Sequence, residues 1–226
     1  MIKLILVRHG ESFWNLQNRF TGWTDVGLSQ KGVEEAKNAG QLILQSNNKI
    51  DYAFISVLLR AEQTYQIMSK QFGYKVRTFK SWKLNERHYG ALQGLNKQQT
   101  AQKYGEEQVR LWRRSYDVRP PLLEESDPRN PNLDPTYSCL KEEMPLGESL
   151  QDTAKRVVDY YENFIKSIIK PNQTGLIVAH GNSLRALMQY LDKIPNKEVE
   201  NLEIATGKPI VYELTDDFEV TKHYCL

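Results

Sequence analysis

Short apolar runs alternate with amphipathic stretches along most of the chain. Lys3 to Val7 are largely apolar and partly β-branched, and Arg8-His9-Gly10 follows, which predicts a buried strand that ends in a turn. After Ser29, a plausible N-cap, apolar residues recur at helical spacing up to Ser46 and predict the first helix. The chain therefore opens with a strand followed by a helix.

The same alternation continues beyond this first unit. The other predicted strands are Asp51 to Ser56, Lys75 to Phe79, Gly175 to His180, Ile210 to Leu214 and Val220 to Tyr224. The other predicted helices are Leu59 to Phe72, closed by Gly73, then Ser149 to about Ile169, and Ser183 to Leu191. Strands that alternate with helices predict a three-layer α/β/α sandwich, in which a mostly parallel sheet carries helices on both faces.

Residues 80–148 interrupt this alternation. They contain polar helical material from Asn96 to Arg114 and a Pro-, Asp- and Glu-rich loop from about Ser115 to Gly147. A loop of that length in a compact domain is usually an active-site cover or a disordered segment. No linker separates two cores, so we expect one domain over residues 1–226 with an insertion at about 80–148 that covers the active site.

Composition narrows the class of protein. The 226 residues are 40% apolar and 26% charged, as in globular α/β proteins, and the net charge of +2 gives no bulk attraction to nucleic acid or membrane. The apolar run Leu4 to Val7 is shorter than a signal-peptide core, and no run approaches the ~20 residues of a membrane-spanning helix. Cys139 and Cys225 are far apart in sequence, which disfavours a disulfide framework or a zinc site. We expect a cytoplasmic protein.

One motif occurs twice. LILVRHGES at residues 4–12 and LIVAHGNS at 176–183 are each an apolar strand, then His-Gly, a polar residue and Ser. In an open α/β sheet ligands bind outside the carboxyl ends of the strands, so His9 and His180 are expected to face one crevice. Gly10 and Gly181 let the backbone turn sharply beside a ligand. A single such histidine would more often only cap a turn, but two copies in matching contexts weaken that interpretation.

Two histidines without a recognisable set of metal ligands favour nucleophilic catalysis. A neutral imidazole nitrogen can attack phosphorus and hold the phosphoryl group covalently. Such a reaction needs cations around the non-bridging oxygens, and Arg8 lies beside His9 while Arg60 follows the second predicted strand. Each arginine alone would more often be a surface residue; their common placement at strand ends indicates phosphate.

Long motifs carry a family resemblance. LVRHGESFWNLQNRFTGWTDVGLS, SWKLNERHYGALQGLNK at residues 81–97, WRRSYDVRPP at 112–121 and AHGNSLRAL at 179–187 together resemble the histidine phosphatase superfamily. Within it, the segment 81–97 resembles the cofactor-dependent phosphoglycerate mutases, and the resemblance extends from Lys3 to Tyr224. It implies the phosphoglycerate mutase-like α/β fold.

The resemblance also implies roles for individual residues. His9 would become phosphohistidine, with Arg8, Arg60 and His180 around the transferring group and Glu86 as general acid and base. Ser12 and Asn15 would add hydrogen bonds to phosphate. The residues implied to bind the substrate's carboxylate and second phosphate are Thr21, Gly22, Arg87, Tyr89, Lys97, Arg113, Arg114, Gly181 and Asn182.

The implied reaction is the interconversion of 3-phosphoglycerate and 2-phosphoglycerate in glycolysis and gluconeogenesis, an isomerase reaction. It would proceed by way of 2,3-bisphosphoglycerate, which also primes His9 as a cofactor, and would need no metal. The expected partners are small phosphoglycerates, with no nucleic acid and no membrane. Because relatives occur as monomers, dimers and tetramers, a homodimer or another homo-oligomer is compatible with the resemblance.

The chain differs from many relatives after its final strand. They carry a flexible Lys- and Gly-rich tail there, whereas this chain ends at Cys225-Leu226. We expect the loop at 115–147 to exclude more of the water instead. Three alternatives remain: a phosphatase, in which water takes the phosphoryl group, a bisphosphoglycerate synthase, and a catalytically inactive phospholigand-binding protein, which the presence of all five expected catalytic residues disfavours.

Overall fold

The computed structural model describes all 226 residues and contains one six-stranded sheet. The strands are β1 (Ile2–Arg8), β2 (Tyr52–Ile55), β3 (Arg77–Lys80), β4 (Thr174–Ala179), β5 (Ile210–Leu214) and β6 (Val220–Cys225). Their order in the sheet is β3-β2-β4-β1-β5-β6, with β3, β2, β4 and β1 parallel and β5 antiparallel to both of its neighbours. The predicted mostly parallel α/β sheet is confirmed.

Most helices lie in the predicted segments, with differences at their ends, but the four-residue helices Phe13–Leu16 and Pro135–Ser138 were not predicted. The helices are α1 (Phe13–Leu16), α2 (Gln30–Gln45), α3 (Leu59–Ser69), α4 (Lys97–Tyr104), α5 (Glu106–Arg114), α6 (Pro135–Ser138), α7 (Leu150–Tyr160), α8 (Lys166–Ile168) and α9 (Gly181–Asp192). Short 3₁₀ turns occur at Trp82–Leu84, Gly90–Leu92, Pro131–Leu133 and Val199–Asn201. No helix is both long enough and apolar enough to cross a membrane.

Alternate residues of β1 pack on opposite faces of the sheet. Leu4 and Leu6 join the core layer that includes residues of α7 and α9, whereas Ile5 and Val7 join the layer that includes residues of α2 and α3. A strand buried on both faces reads as a continuous apolar run, because successive side chains point to opposite sides. This explains why the N-terminal run shows no polar alternation.

Local hydrogen bonds set several helix ends. The side chain of Ser29 accepts a hydrogen bond from the backbone of α2, as its predicted N-cap role requires. α3 ends at Ser69 rather than Phe72. The backbone N–H groups of Gln71 and Phe72 donate to carbonyls three residues earlier, as in a 3₁₀ helix, and Phe72 is buried. Gly73, with φ +71°, lies in the following turn and does not cap the helix.

The long C-terminal helix and the helix after β4 also differ from the prediction. Between α7 and α8 the helix widens into a π-helical turn, Tyr161–Ile165, which buries both of its terminal residues. The helix after β4 begins at Gly181 rather than Ser183, because the Ser183 hydroxyl accepts the His180 N–H and makes His180 the N-cap.

The segment 115–147 packs away from the crevice that it was expected to cover. Its Tyr137 and Met144 form a small apolar cluster with Trp23, and its backbone pairs with the loop around Ala91 through the carbonyl of Pro121. No residue of 115–147 lines the cavity described below. In this structure the apolar side chains of the loop are buried behind the site, and its role in excluding water stays a prediction.

Candidate active site

The two predicted histidines meet at the carboxyl ends of neighbouring strands. β1 and β4 pair in parallel with Arg8 opposite Ala179, so His9 and His180 each stand one residue beyond the last pair. The backbone N–H of His9 donates to the carbonyl of Ala179 at 3.0 Å, and the two ring centroids are 4.9 Å apart. The register of one parallel pair thus brings both imidazoles together, as the repeated motif indicates.

His9 is held in the form that a nucleophile needs. Its Nδ1 lies 2.7 Å from the carbonyl of Gly10, and because a carbonyl only accepts, Nδ1 carries the proton and Nε2 keeps its lone pair. Arg60 Nε points at that Nε2 at 3.4 Å. Burial, followed by the charges of Arg60 and Arg8, lowers the pKa of His9 well below its ordinary value, so the ring is neutral at physiological pH.

His180 takes the opposite tautomer through a chain of side chains. Its Nε2 is 2.7 Å from the hydroxyl of Ser56, which donates in turn to Asn85 Oδ1 at 2.8 Å; the Asn85 amide then donates to the Tyr137 hydroxyl at 3.0 Å. The Ser56 oxygen therefore accepts a hydrogen bond from Nε2–H of His180, and the neutral ring carries no proton on Nδ1. Burial, Arg60 and His9 lower the pKa of His180, which keeps this ring neutral as well.

Two arginines flank the histidines, of which Arg60 is buried and Arg8 is half-buried. The Arg60 guanidinium donates to the carbonyls of Gly22 and Thr24 at 2.7 and 3.1 Å, and burial lowers the pKa of Arg60 to about 10, so it remains a cation. Arg8 Nη1 donates to the carbonyl of Ile204 at 2.7 Å. Neither guanidinium is neutralised by a carboxylate, which leaves both charges for an anion beside His9.

Glu86 enters the site from the insertion. Its Oε1 accepts the backbone N–H of Arg87 at 2.8 Å and that of Asn182, in the first turn of α9, at 3.1 Å. The carboxyl group lines the cavity while its residue is only 8% exposed. A carboxylate held this way can exchange a proton with a hydroxyl bound next to His9.

The side chains enclose a cavity of about 490 Å³ that is strongly cationic. Thirteen of the sixteen predicted site residues line it, namely Arg8, His9, Asn15, Thr21, Gly22, Arg60, Glu86, Tyr89, Lys97, Arg113, Arg114, Gly181 and Asn182. Four predicted site residues have polar atoms that are buried without any partner in the protein, namely Arg8 Nε, Thr21 Oγ1, Arg87 Nε and Nη1, and His180 Nδ1. The Arg8 N–H and the Thr21 hydroxyl can donate to the oxygens of a bound anion, whereas the unprotonated His180 Nδ1 can only accept a hydrogen bond.

Three predicted site residues lie behind the lining. His180 contacts the His9 ring but does not line the cavity itself. The Ser12 hydroxyl caps α1 by accepting the N–H of Asn15, and Ser12 is fully buried. Arg87 is also fully buried, where its guanidinium donates to the Tyr89 hydroxyl at 3.2 Å. In this structure Ser12 and Arg87 therefore support the wall of the site rather than facing into it.

Several cavity residues were not predicted. Arg185 lies one helical turn after Gly181 on α9, donates to Asn182 Oδ1 at 2.6 Å, and has its pKa lowered to about 10 by burial. Helical spacing from Gly181 could have indicated it. Arg19 and the loop 203–206 also line the cavity, and no local pattern marks that loop.

A buried ion pair holds the segment that carries Glu86. Arg156 Nε is 2.7 Å from Glu148 Oε1, and the same guanidinium donates to the carbonyls of Lys83, Asn85 and Glu86 at 2.8 to 2.9 Å. Glu148 Oε2 accepts the N–H of His88 at 2.8 Å. α7 thereby fixes the path of residues 83–88 toward the cavity. This pair was also not predicted.

The profile of the histidine phosphatase superfamily (branch 1) matches residues 4–225 of this chain. The chain belongs to that superfamily. As a histidine phosphatase it is an enzyme of phosphoryl transfer or hydrolysis, which agrees with the neutral His9 beside the cationic Arg8 and Arg60.

Solved structures show the same fold. Mycobacterial glucosyl-3-phosphoglycerate phosphatase in complex with VO3 is 23% identical with a TM-score of 0.72, over 93% of this chain and 92% of that one. YhfR of Bacillus stearothermophilus is 21% identical with a TM-score of 0.75, over 97% and 94%. The alpha-ribazole phosphatase of Shigella flexneri is 20% identical with a TM-score of 0.70, over 96% and 92%. At 20–23% sequence identity these similarities show a shared fold.

Proposed function

We propose that this histidine phosphatase is a 2,3-bisphosphoglycerate-dependent phosphoglycerate mutase. The observation that carries the proposal is a second cationic group in the cavity of His9, formed by Lys97, Arg113 and Arg114. A phosphatase acting on a simple monoester needs one anion site, at the nucleophile. A substrate with a phosphate and a carboxylate, or with two phosphates, needs a second such site, and Arg and Lys meet it with charge-assisted hydrogen bonds.

The side chains around His9 support each step of the proposed transfer. His9 Nε2 forms the bond to phosphorus as the phosphoryl group leaves a donor hydroxyl, and Glu86 supplies the proton that this oxygen takes up. In the return step Glu86 accepts the proton of the receiving hydroxyl, and the bond between phosphorus and Nε2 breaks. Arg8 and Arg60 stabilise the charge on the non-bridging oxygens.

The unpartnered polar atoms fit the proposed cofactor. Arg8 Nε and Thr21 Oγ1 are buried without protein partners. One phosphate of 2,3-bisphosphoglycerate would be held between Arg8, Arg60 and His9, and the other would be held by Lys97, Arg113 and Arg114. The bisphosphate supplies the phosphoryl group that primes His9. We also propose that the enzyme acts on free phosphoglycerates in the cytoplasm, as a monomer or homo-oligomer, without a metal.

A phosphatase is the second candidate. The named enzymes among the similar structures, glucosyl-3-phosphoglycerate phosphatase and alpha-ribazole phosphatase, are phosphatases, so the comparisons favour this alternative more directly than the mutase. Its chemistry needs the same phosphohistidine, with water in place of the receiving hydroxyl. A bisphosphoglycerate synthase or bisphosphatase would use the same residues with different relative rates.

A coupled assay separates the candidates. The purified enzyme is given 3-phosphoglycerate with enolase, while 2,3-bisphosphoglycerate is titrated and free phosphate is measured in parallel. A mutase forms 2-phosphoglycerate only when the bisphosphate is present and releases little phosphate. Phosphate as the main product, or indifference to the bisphosphate, would establish the phosphatase instead. The His9→Ala variant is the control, and full activity in it would refute His9 as nucleophile.

A further inference from the structure

Two parallel ion pairs join α5 to the segment that precedes β5. Arg110 Nη1 is 2.5 Å from Glu200 Oε2, and Arg114 Nη2 is 2.9 Å from Glu203 Oε1. Arg110 and Arg114 are four residues apart and so lie on one face of the helix. Arg114 and Glu203 line the cavity of His9. Arg110 and Glu200 lie outside it.

The backbone on both sides of Glu203 is held by site arginines. Arg185 Nε donates to the carbonyl of Leu202 at 2.9 Å, and Arg8 Nη1 donates to that of Ile204 at 2.7 Å. The Glu203 side chain itself is 78% exposed. The fold therefore presents this carboxylate at a defined place, while the side chain can turn into solvent at little cost.

Glu203 is unusual among the cavity residues. Glu86 is the other acidic side chain in the lining, and its Oε1 is occupied by two backbone N–H groups. Glu203 is the only acid there that pairs with a cation of the second anion site. A ligand that reaches Arg114 competes with the Glu203 carboxylate for the guanidinium, whereas a single phosphate bound at His9 does not.

We propose that Glu203 is a specificity-determining residue, whose carboxylate occupies Arg114 in the free enzyme and yields it to the second anionic group of the substrate. The proposal rests on the proposed function, because it concerns the second anion site. Glu203 lowers the affinity for ligands with two anionic groups and leaves that for a lone phosphate almost unchanged. Since an exposed ion pair is weak, the competition costs about twofold to fivefold in affinity.

The test compares Glu203→Gln with Glu200→Gln, which removes the same charge from the neighbouring pair outside the cavity. Dissociation constants for 3-phosphoglycerate and for inorganic phosphate are measured by calorimetry on full-length, dephosphorylated enzyme. We expect Glu203→Gln to bind 3-phosphoglycerate about twofold to fivefold more tightly than wild type, with phosphate unchanged. Glu200→Gln should match wild type. No tightening in Glu203→Gln, or equal tightening in Glu200→Gln, would overturn the proposal.

A second comparison introduces Glu203→Gln into the Arg114→Gln variant, and tests whether Glu203 acts through Arg114. There the carboxylate has no guanidinium to occupy, so Glu203→Gln should bring no further gain; a gain of the same size would show that Arg114 is not involved and reject the inference. The mutase assay separates the two proposals. Tightening in Glu203→Gln without any mutase activity in wild type would reject the proposed function alone, and an active mutase without tightening would reject the role of Glu203 alone.

Discussion

At the scale of single residues, each of the two site histidines has its tautomer set by one neighbour. The Gly10 carbonyl accepts a hydrogen bond from Nδ1–H of His9, and the Ser56 hydroxyl accepts one from Nε2–H of His180. The two rings therefore differ in function although their sequence motifs match. His9 offers Nε2 as a nucleophile, with Arg60 beside it, and His180 is tied to Ser56 at the end of β2.

Ser56→Ala tests the hydrogen bond that orients His180. Loss of the hydroxyl leaves the buried Nε2–H without its acceptor, and we expect kcat to fall by about tenfold with little change in KM. Tyr137→Phe is the matched control, because it removes only the far end of the chain through Asn85 and should cost less. Steady-state kinetics on the substrate found in the coupled assay would measure both. A Ser56→Ala enzyme with wild-type kcat would contradict this role.

At the scale of elements, the site depends on contacts that hold irregular segments against helices. The stretch 83–88 is held by α7 through Arg156 and Glu148. The loop after β1 approaches the first turn of α2 so closely that a Cβ on Gly32 would lie 2.0 Å from the carbonyl of Glu11. Helices thus position both Glu86 and the loop after β1.

Arg156→Met should destabilise the protein strongly. The guanidinium and its partner Glu148 are 7% and 3% exposed, and removal of one member of a buried pair leaves the other charge uncompensated, at a cost of about 3–5 kcal/mol. Arg119→Met breaks an exposed pair with Asp152 and should cost at most about 1 kcal/mol. Urea unfolding measures both free energies. Equal losses in the two variants would refute the structural role of the buried pair.

Gly32→Ala tests the close approach of α2 to the loop after β1. Alanine favours a helix by about 1 kcal/mol over glycine, so propensity alone predicts a more stable protein. The backbone clash with Glu11 predicts instead a loss of about 1–3 kcal/mol. Gly27→Ala is the control, since its Cβ would meet only the end of the Gln63 side chain at 3.1 Å. A stabilised Gly32→Ala protein in thermal or urea unfolding would rule out the clash.

At the scale of the whole molecule, three histidines are buried without charge. Burial, followed by neighbouring cations, lowers the pKa of His9, His88 and His180, and for His88 the value is about 3. In the unfolded chain each would titrate near pH 6.5. Below that pH the unfolded state takes up protons that the folded state does not accept. The stability that these groups contribute is therefore complete above pH 6.5 and is lost as the pH falls.

His88→Gln should reduce the loss of stability in acid. A single histidine with these properties costs about 1.4 kcal/mol for each pH unit below 6.5, or about 2 kcal/mol between pH 7 and pH 5. Glutamine does not titrate, and its amide oxygen can replace His88 Nδ1 as acceptor for the Gly90 N–H. Urea unfolding of wild type and variant at both pH values gives the difference. Identical pH dependence would show that His88 is not buried neutral.

The order of strands and helices, their approximate limits and most residues that line the cavity follow from the sequence by itself. Apolar periodicity is a property of neighbouring residues, so β1, α2 and β4 can be predicted from it. Each copy of the strand-His-Gly motif is only a few consecutive residues long. His9 and His180 can therefore be found from the sequence one copy at a time. Parallel strands place their carboxyl ends at one edge, and for this reason the shared crevice was predictable before the structure.

Only the tertiary structure decided which distant side chains serve those histidines and which close the cavity. Ser56 orients His180, Glu203 pairs with Arg114, and Arg87 points into the wall, because each direction depends on how segments far apart in sequence pack together. The position of 115–147 depends on the same kind of contact, as Tyr137 finds its apolar partner in Trp23. Local pattern specifies an element and its chemistry, whereas a side chain's partner is specified by the surfaces that the whole fold brings together.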